Sequence, residues 1–169
     1  DFRELALEIM QVNSVGTKNL LEFALKNKAG FFQASTSEVY GNPLEHPQKE
    51  SYFGNVNPVG ERSVYDEGKR FSEALVMAYK RKFNLDVKIC RIFNTFGERM
   101  RPNDGRIIPN FINQALNGKP ITVYGDGTRT RSFRHVSDLV DGFVKLMDSN
   151  ISGPVNLGSD QEYDLDDVA

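Results

Sequence analysis

An α/β fold built on a parallel sheet is what this 169-residue sequence predicts, and three observations predict it. Apolar runs of strand length stand at Phe31-Phe32-Gln33-Ala34-Ser35 and at Val87-Lys88-Ile89-Cys90-Arg91-Ile92-Phe93. Between them, from about Ser63 to Phe83, apolar side chains recur at helical spacing. Strand, loop, helix and strand in that order describe a crossover that lays two strands parallel, with helices on the faces of the sheet.

Taken in order, the first element runs from about Phe2 to Lys28, with Leu5, Ile9, Val12, Val15, Leu20, Leu21 and Ala24 near helical spacing. It predicts an amphipathic helix with a kink near Gly16, ended by Ala29-Gly30. The stretch from Gly41 to Gly60 carries Pro43, Pro47, Pro58 and several Asn and Gly residues, which is loop chemistry. The helix after it presents Val64, Gly68, Phe71, Leu75, Ala78 and Tyr79 along one stripe and is expected to stop at Asn84. Beyond Gly97 the pattern predicts an Arg-rich loop, a helix from about Ile107 to Asn117 and a strand at Ile121-Thr122-Val123-Tyr124. A Gly125-Asp126-Gly127 turn, a helix from about Val136 to Met147 and a strand at Pro154-Val155-Asn156-Leu157 follow. This later part is expected to form a smaller α+β lobe. Both ends read as cut helices, so the chain is expected to be truncated at each terminus.

Composition removes several classes of function. With 26% charged and 39% hydrophobic residues the chain can bury a core, and its net charge of −2 draws it toward neither nucleic acid nor an anionic membrane. No apolar run approaches the ~18 residues of a membrane span. One cysteine, Cys90, allows neither an intrachain disulfide nor a Cys-rich zinc site, and a reducing, cytoplasmic setting is expected. His46 and His135 lack metal-ligand partners at suitable spacing, so no metal is expected. There is no G-x-S-x-G of a serine hydrolase.

The chemistry concentrates in two places. Tyr65 and Lys69 stand four residues apart near the start of a helix and therefore on one face. A phenol ionises near pH ~10, so it serves as a base near neutrality only where a cation favours phenolate. Lys69 can supply that cation. Alone, Tyr-x-x-x-Lys is a common surface pattern. Its company is Ser35-Thr36-Ser37-Glu38-Val39-Tyr40-Gly41, directly after an apolar strand, where open parallel sheets place their ligand crevice.

Together with Tyr65-Asp66-Glu67-Gly68-Lys69-Arg70, Arg91-Ile92-Phe93-Asn94-Thr95-Phe96-Gly97, Asn103-Asp104-Gly105-Arg106, and Thr122-Val123-Tyr124-Gly125 through Thr130-Arg131-Ser132-Phe133, these blocks resemble a known family. It is the extended short-chain dehydrogenase/reductases acting on nucleotide sugars, and the likeness is greatest to the UDP-glucuronate decarboxylases. It covers about Val12 to Ser159. The resemblance implies the later part of a Rossmann-like doubly wound parallel sheet. Residues 1–97 would be the partial NAD-binding portion with the catalytic groups, and residues 98–169 mainly the nucleotide-sugar lobe.

The implied reaction is NAD-dependent conversion of UDP-glucuronate to UDP-xylose through a 4-keto sugar. Tyr65, aided by Lys69, would take the 4-hydroxyl proton as C4 is oxidised. The carboxylate, now β to a ketone, would leave as CO2, and Thr36, Ser37 and Glu38 would hold the sugar, with Glu38 or Ser37 handling the proton at C5. Related 4,6-dehydratases carry Thr-Asp-Glu in that trio because expelling a hydroxyl needs an acid. Ser37 fits loss of CO2, and Glu38 speaks against a 4-epimerase.

Resemblance also assigns Arg131 to the uronate carboxylate or diphosphate and Arg106 to the nucleotides of substrate and cofactor, guanidinium suiting both anions. Asn94 would contact the diphosphate, Tyr124 the uracil, and Thr95, with Tyr65 and Lys69, the NAD. A homodimer through the first helix and the Tyr65 helix is implied. The family's glycine-rich phosphate loop has no counterpart in the chain, so these residues by themselves are expected to bind NAD weakly. Glu98 stands where relatives usually have Pro after Phe-Gly. A 4,6-dehydratase, a 4-epimerase and a non-catalytic nucleotide-binding member of the fold remain as alternatives.

Overall fold

The computed structural model describes residues 4–123, 125 and 130–169. Its contacts divide the chain into two compact units, one of residues 1–92 and 143–157, the other of residues 93–142 and 158–169.

The first unit is built on a three-stranded parallel sheet. Strand β1 (Phe31–Thr36) pairs with β2 (Val87–Ile92), Phe31 opposite Val87 through Thr36 opposite Ile92. The third strand comes from far along the chain: Pro154–Leu157 lies parallel to β2 on its other edge, Ile89 opposite Pro154. Successive residues of a strand face opposite sides; the middle strand β2 is buried from Val87 to Cys90, whereas Ala34 of β1 is exposed. On one side Leu21, Val76, Leu85, Val87 and Ile89 form the buried core, packed with Leu25, Phe31, Leu75 and Tyr79. On the other, Phe32 meets Phe143 edge-to-face at 5.1 Å.

The helical residues of that core belong to α2 (Thr17–Lys26) and α3 (Ser63–Phe83). Ahead of α2 stand α1 (Ala6–Gln11) and a π-helical turn over Val12–Gly16. The kink expected at Gly16 is therefore a widened turn ending there, and the helix stops at Lys26, short of Lys28. Its cause is a close crossing. Ser72 Oγ donates to Asn13 O at 2.5 Å, drawing that carbonyl out of the i→i+4 ladder. Gly68 faces it: a Cβ there would stand 3.3 Å from Asn13 Cβ. Helix α3 matches its expected span and ends at Asn84, which adopts φ +53°.

In the second unit, β3 (Thr95–Phe96) pairs in parallel with Arg134–His135, and Thr130–Arg131 pairs antiparallel with Tyr163–Asp164. Helix α4 covers Ile107–Leu116 and a terminal turn of helix covers Leu165–Val168. In chain order these complete β4 (Thr130–Arg131), β5 (Arg134–His135), α5 (Val136–Met147), β6 (Pro154–Leu157), β7 (Tyr163–Asp164) and α6. The division between units falls inside α5, after Gly142. The strand expected at residues 121–124 does not form over 121–123, which pair with no strand. Thr122 is held instead by Gln114 of α4, whose amide oxygen accepts from Thr122 N at 3.0 Å. Residue 124 lies outside the described residues. None of the described helices is long and apolar enough to cross a membrane.

Candidate functional site

Thr36 ends β1 in extended conformation, and its hydroxyl accepts from Glu38 N at 3.2 Å, starting a 3-10 turn over Ser37–Tyr40. The N-cap of this turn is thus one of the three residues singled out from the sequence. Gly41 closes the turn at φ +65°, where a Cβ would meet Asn55 O at 2.2 Å, so glycine is required by conformation and by space.

Helix α3 grips this turn from beside it. Lys69 Nζ donates to Ala34 O at 3.0 Å, and Arg70 Nη1 donates to Val39 O at 2.9 Å and Phe53 O at 2.7 Å. Lys69 Nζ also lies 5.8 Å from the centre of the Tyr65 ring, as i,i+4 spacing on a helix allows. Tyr65, Lys69, Ser37 and Glu38 are half-buried and Thr36 is buried. The structure therefore brings the Tyr65–Lys69 face of α3 to the carboxyl end of β1, beside the segment that holds Thr36, Ser37 and Glu38. Burial lowers the pKa of Lys69, because a desolvated ammonium gives up its proton more readily.

Three groups that sequence reasoning did not assign complete the arrangement. Arg62, the residue capping α3, forms an ion pair from Nη2 to Glu38 Oε2. Asp66, one turn further on, is only 7% exposed, and its Oδ1 has no hydrogen-bond partner among the described residues. Burial raises its pKa; Arg62 opposes the rise, and Glu38 and Glu67 add to it. Glu73 lies on the stripe of Tyr65 and Lys69, at the next i,i+4 step. It accepts Ser35 Oγ at 2.5 Å and both Arg91 Nε at 3.0 Å and Nη2 at 2.7 Å, with each side chain of the ion pair 12% exposed. Arg91 Nη1 adds a bond to Tyr40 OH at 2.8 Å. The stripe Tyr65, Lys69, Glu73 is legible as spacing. That Arg91 and Ser35 converge on it requires the register of β1 against β2, where the two stand directly opposite.

The remaining expected residues lie in the second unit. Thr95 is in β3, its hydroxyl donating to Phe93 O at 3.0 Å. Asn94 is exposed, and its carbonyl accepts from Arg134 N at 2.9 Å. Arg106 caps α4 and pairs with Asp104 at 2.9 Å. Arg131 is exposed in β4 and donates to Thr130 O at 2.8 Å. Tyr124 lies outside the described residues. The same unit contains an open cleft of about 400 Å³ lined by Phe96, Ile108, Ile112 and Leu116, with the Glu98–His135 pair, 3.5 Å apart, among its polar lining. Asn94, Thr95, Arg106 and Arg131 do not line it. Among the described residues no group of His, Cys, Asp and Glu is arranged to hold a metal ion.

Residues 3–158 match the family model described as the NAD dependent epimerase/dehydratase family. UDP-glucuronic acid decarboxylase 1 of Danio rerio is 53% identical over 159 residues, which are 94% of this chain and 38% of that protein. Two solved structures share the fold. One is the UDP-N-acetylglucosamine 4-epimerase from Methanobrevibacter ruminantium M1 in complex with UDP-N-acetylmuramic acid, with TM-score 0.85 and 27% identity over 94% of this chain and 50% of that one. The other is the dTDP-glucose 4,6-dehydratase from Bacillus anthracis in complex with NAD, with TM-score 0.81 and 28% identity over 94% of this chain and 50% of that one. The chain spans 38% of the length of the decarboxylase it matches.

Proposed function

Since the chain belongs to the NAD dependent epimerase/dehydratase family, we propose that its residues form the catalytic part of an NAD-dependent enzyme that removes CO2 from UDP-glucuronate to give UDP-xylose. The observation that carries this reading is the anchoring of Lys69 to Ala34 O, which sets the Tyr65 face of α3 against the segment bearing Thr36, Ser37 and Glu38. The 53% identity to a UDP-glucuronic acid decarboxylase supports the choice among family reactions. So does Ser37, which suits a reaction with no hydroxide to expel.

The donor set fits the reactive end of NAD. An ammonium has three N–H donors, of which Ala34 takes one, and the hydroxyl of Tyr65 lies on the same helix face, a combination suited to ribose hydroxyls. Bound NAD supplies a two-electron acceptor for C4 of the sugar. Tyr65 takes the proton of the 4-hydroxyl, and the Lys69 ammonium favours the phenolate that this requires. Thr36 and Ser37 orient the sugar by their hydroxyls. Glu38 serves the proton at C5 once CO2 has left. In the second unit Thr95 and Arg106 contribute to the cofactor, and Asn94, Arg106, Tyr124 and Arg131 to the nucleotide sugar. In this reading residues 1–97 are the NAD-binding portion with the catalytic groups and residues 98–169 mainly the substrate lobe.

A homodimer belongs to the same reading, supported by Leu7, Val12, Val15 and Phe71, which α1, the π turn and α3 leave half-exposed or more. A cytoplasmic setting rests on the single Cys90. The deciding experiment incubates the full-length protein with NAD and UDP-glucuronate and follows CO2 and the sugar product. Release of CO2 with formation of UDP-xylose is expected. A 4-epimerised sugar with its carboxylate retained would replace this reading with an epimerase, and an unreacted UDP-glucuronate together with loss of water from a nucleotide hexose would replace it with a dehydratase.

A further inference from the structure

The sugar in the reaction proposed above bears a carboxylate, and Glu38, the residue assigned to its C5, bears another. Two carboxylates brought together without a cation repel, and the cost is one protonation or a loss of binding. Among the described residues of the first unit, four cations are relevant to this point. Lys69 is bonded to Ala34 O beside Tyr65, Arg70 is spent on the carbonyls of Val39 and Phe53, and Arg91 is engaged by Glu73. Arg62 is different: its guanidinium already holds a carboxylate, that of Glu38, in a pair whose side chains are 55% and 40% exposed.

An ion pair as exposed as this one contributes little to stability, so exchanging one carboxylate partner for another meets little resistance. A guanidinium is built for that exchange, because its five N–H donors form a planar fork that accepts a carboxylate on two atoms. Asp66, at i+4 from Arg62, stands within reach of its charge, and its buried Oδ1 has no hydrogen-bond partner among the described residues. Its carboxyl is a second acidic group near the guanidinium at this end of α3.

On the basis of the decarboxylase reading, we propose that Arg62 is a specificity-determining residue for the sugar carboxylate, passing from Glu38 to the substrate when a uronic acid enters and leaving Glu38 available to the sugar ring. The carboxylate exchange breaks and forms only hydrogen bonds.

The test compares UDP-glucuronate with UDP-glucose, which has a hydroxymethyl group in place of the carboxylate, by calorimetric titration of the full-length NAD-loaded protein and its Arg62→Gln and Arg62→Lys variants. Arg62→Gln is expected to weaken UDP-glucuronate about 10- to 100-fold while changing UDP-glucose less than ~3-fold, with Arg62→Lys between the two. Retained UDP-glucose binding also reports a folded site. Equal losses for both sugars, or no loss for either, would overturn the proposal while leaving the reaction intact. A parent protein that neither binds UDP-glucuronate nor releases CO2 from it would remove the decarboxylase reading itself, and this one with it.

Discussion

Lys69 Nζ donates to the carbonyl oxygen of Ala34 across 3.0 Å, so a helix side chain is tied to the backbone of the strand that leads into Thr36-Ser37-Glu38. The bond does what sequence spacing cannot: it sets where along α3 the strand end falls, and Tyr65, one turn earlier, is carried with it.

Tyr65→Phe removes one hydroxyl and keeps the ring. In the full-length protein CO2 release from UDP-glucuronate is expected to fall about 100- to 10,000-fold, the usual worth of a positioned acid–base group. Thermal unfolding followed alongside should move little, because a half-buried ring of the same shape remains.

The burial of Lys69 predicts a pH dependence of stability. Its pKa is lowered in the folded state, so between that value and its ordinary 10.5 the unfolded chain binds more protons than the folded one. Stability contributed by this group therefore rises with pH through that window, and the folded state carries the cost of the buried charge below it. Urea unfolding at a series of alkaline pH values should show this rise in the parent protein and a weaker one in Lys69→Met.

The Arg91–Glu73 pair is enclosed, and removing one member leaves the other charge buried. Arg91→Leu is expected to cost about 3–5 kcal/mol in urea unfolding. Replacing both, Arg91→Leu with Glu73→Leu, is expected to cost clearly less than the single change. If the two costs simply added, the pair would not be interacting as the geometry requires.

Cys90 is fully buried in β2, and burial pushes its thiol up to about 12. Since the thiolate is the reactive form, iodoacetamide at pH 8 should leave the native protein unlabelled and alkylate it fully once guanidinium unfolds it. Rapid labelling of the native protein would show that β2 is not covered on both faces.

Much of this architecture is legible in the residues. The span of α3 follows from its apolar stripe and from Asn84 at its end, and β1, β2 and β6 follow from short apolar runs. The strand expected at Ile121-Thr122-Val123-Tyr124 has the right composition, but composition cannot report that Gln114 takes up Thr122 N. The π turn was equally hidden, since its cause is Ser72, 59 residues away. Of the candidate site, Tyr65, Lys69 and the Thr36-Ser37-Glu38 segment stood out by motif. Arg62 and Glu73 did not, and Asp66 stood in a motif without a role, because charged residues near a helix start or along its stripe are ordinary surface chemistry until something is seen to face them.

Two kinds of information are divided between the chain and its fold. Contacts made within a turn of helix or along a strand are written in spacing: Tyr65 beside Lys69, and the alternation that turns Ile89 toward the α2–α3 core and Cys90 the other way. Sequence alone determined these, along with the family that the motifs mark. Contacts that close long loops were decided only by tertiary structure. Glu38 meets Arg62 across 24 residues, Ser35 meets Glu73 across 38, and Pro154–Leu157 returns to pair with β2. The physical reason is that a helix or strand repeats every few residues, whereas the meeting of distant residues depends on strand register and on the packing of one element against another, which no local pattern encodes.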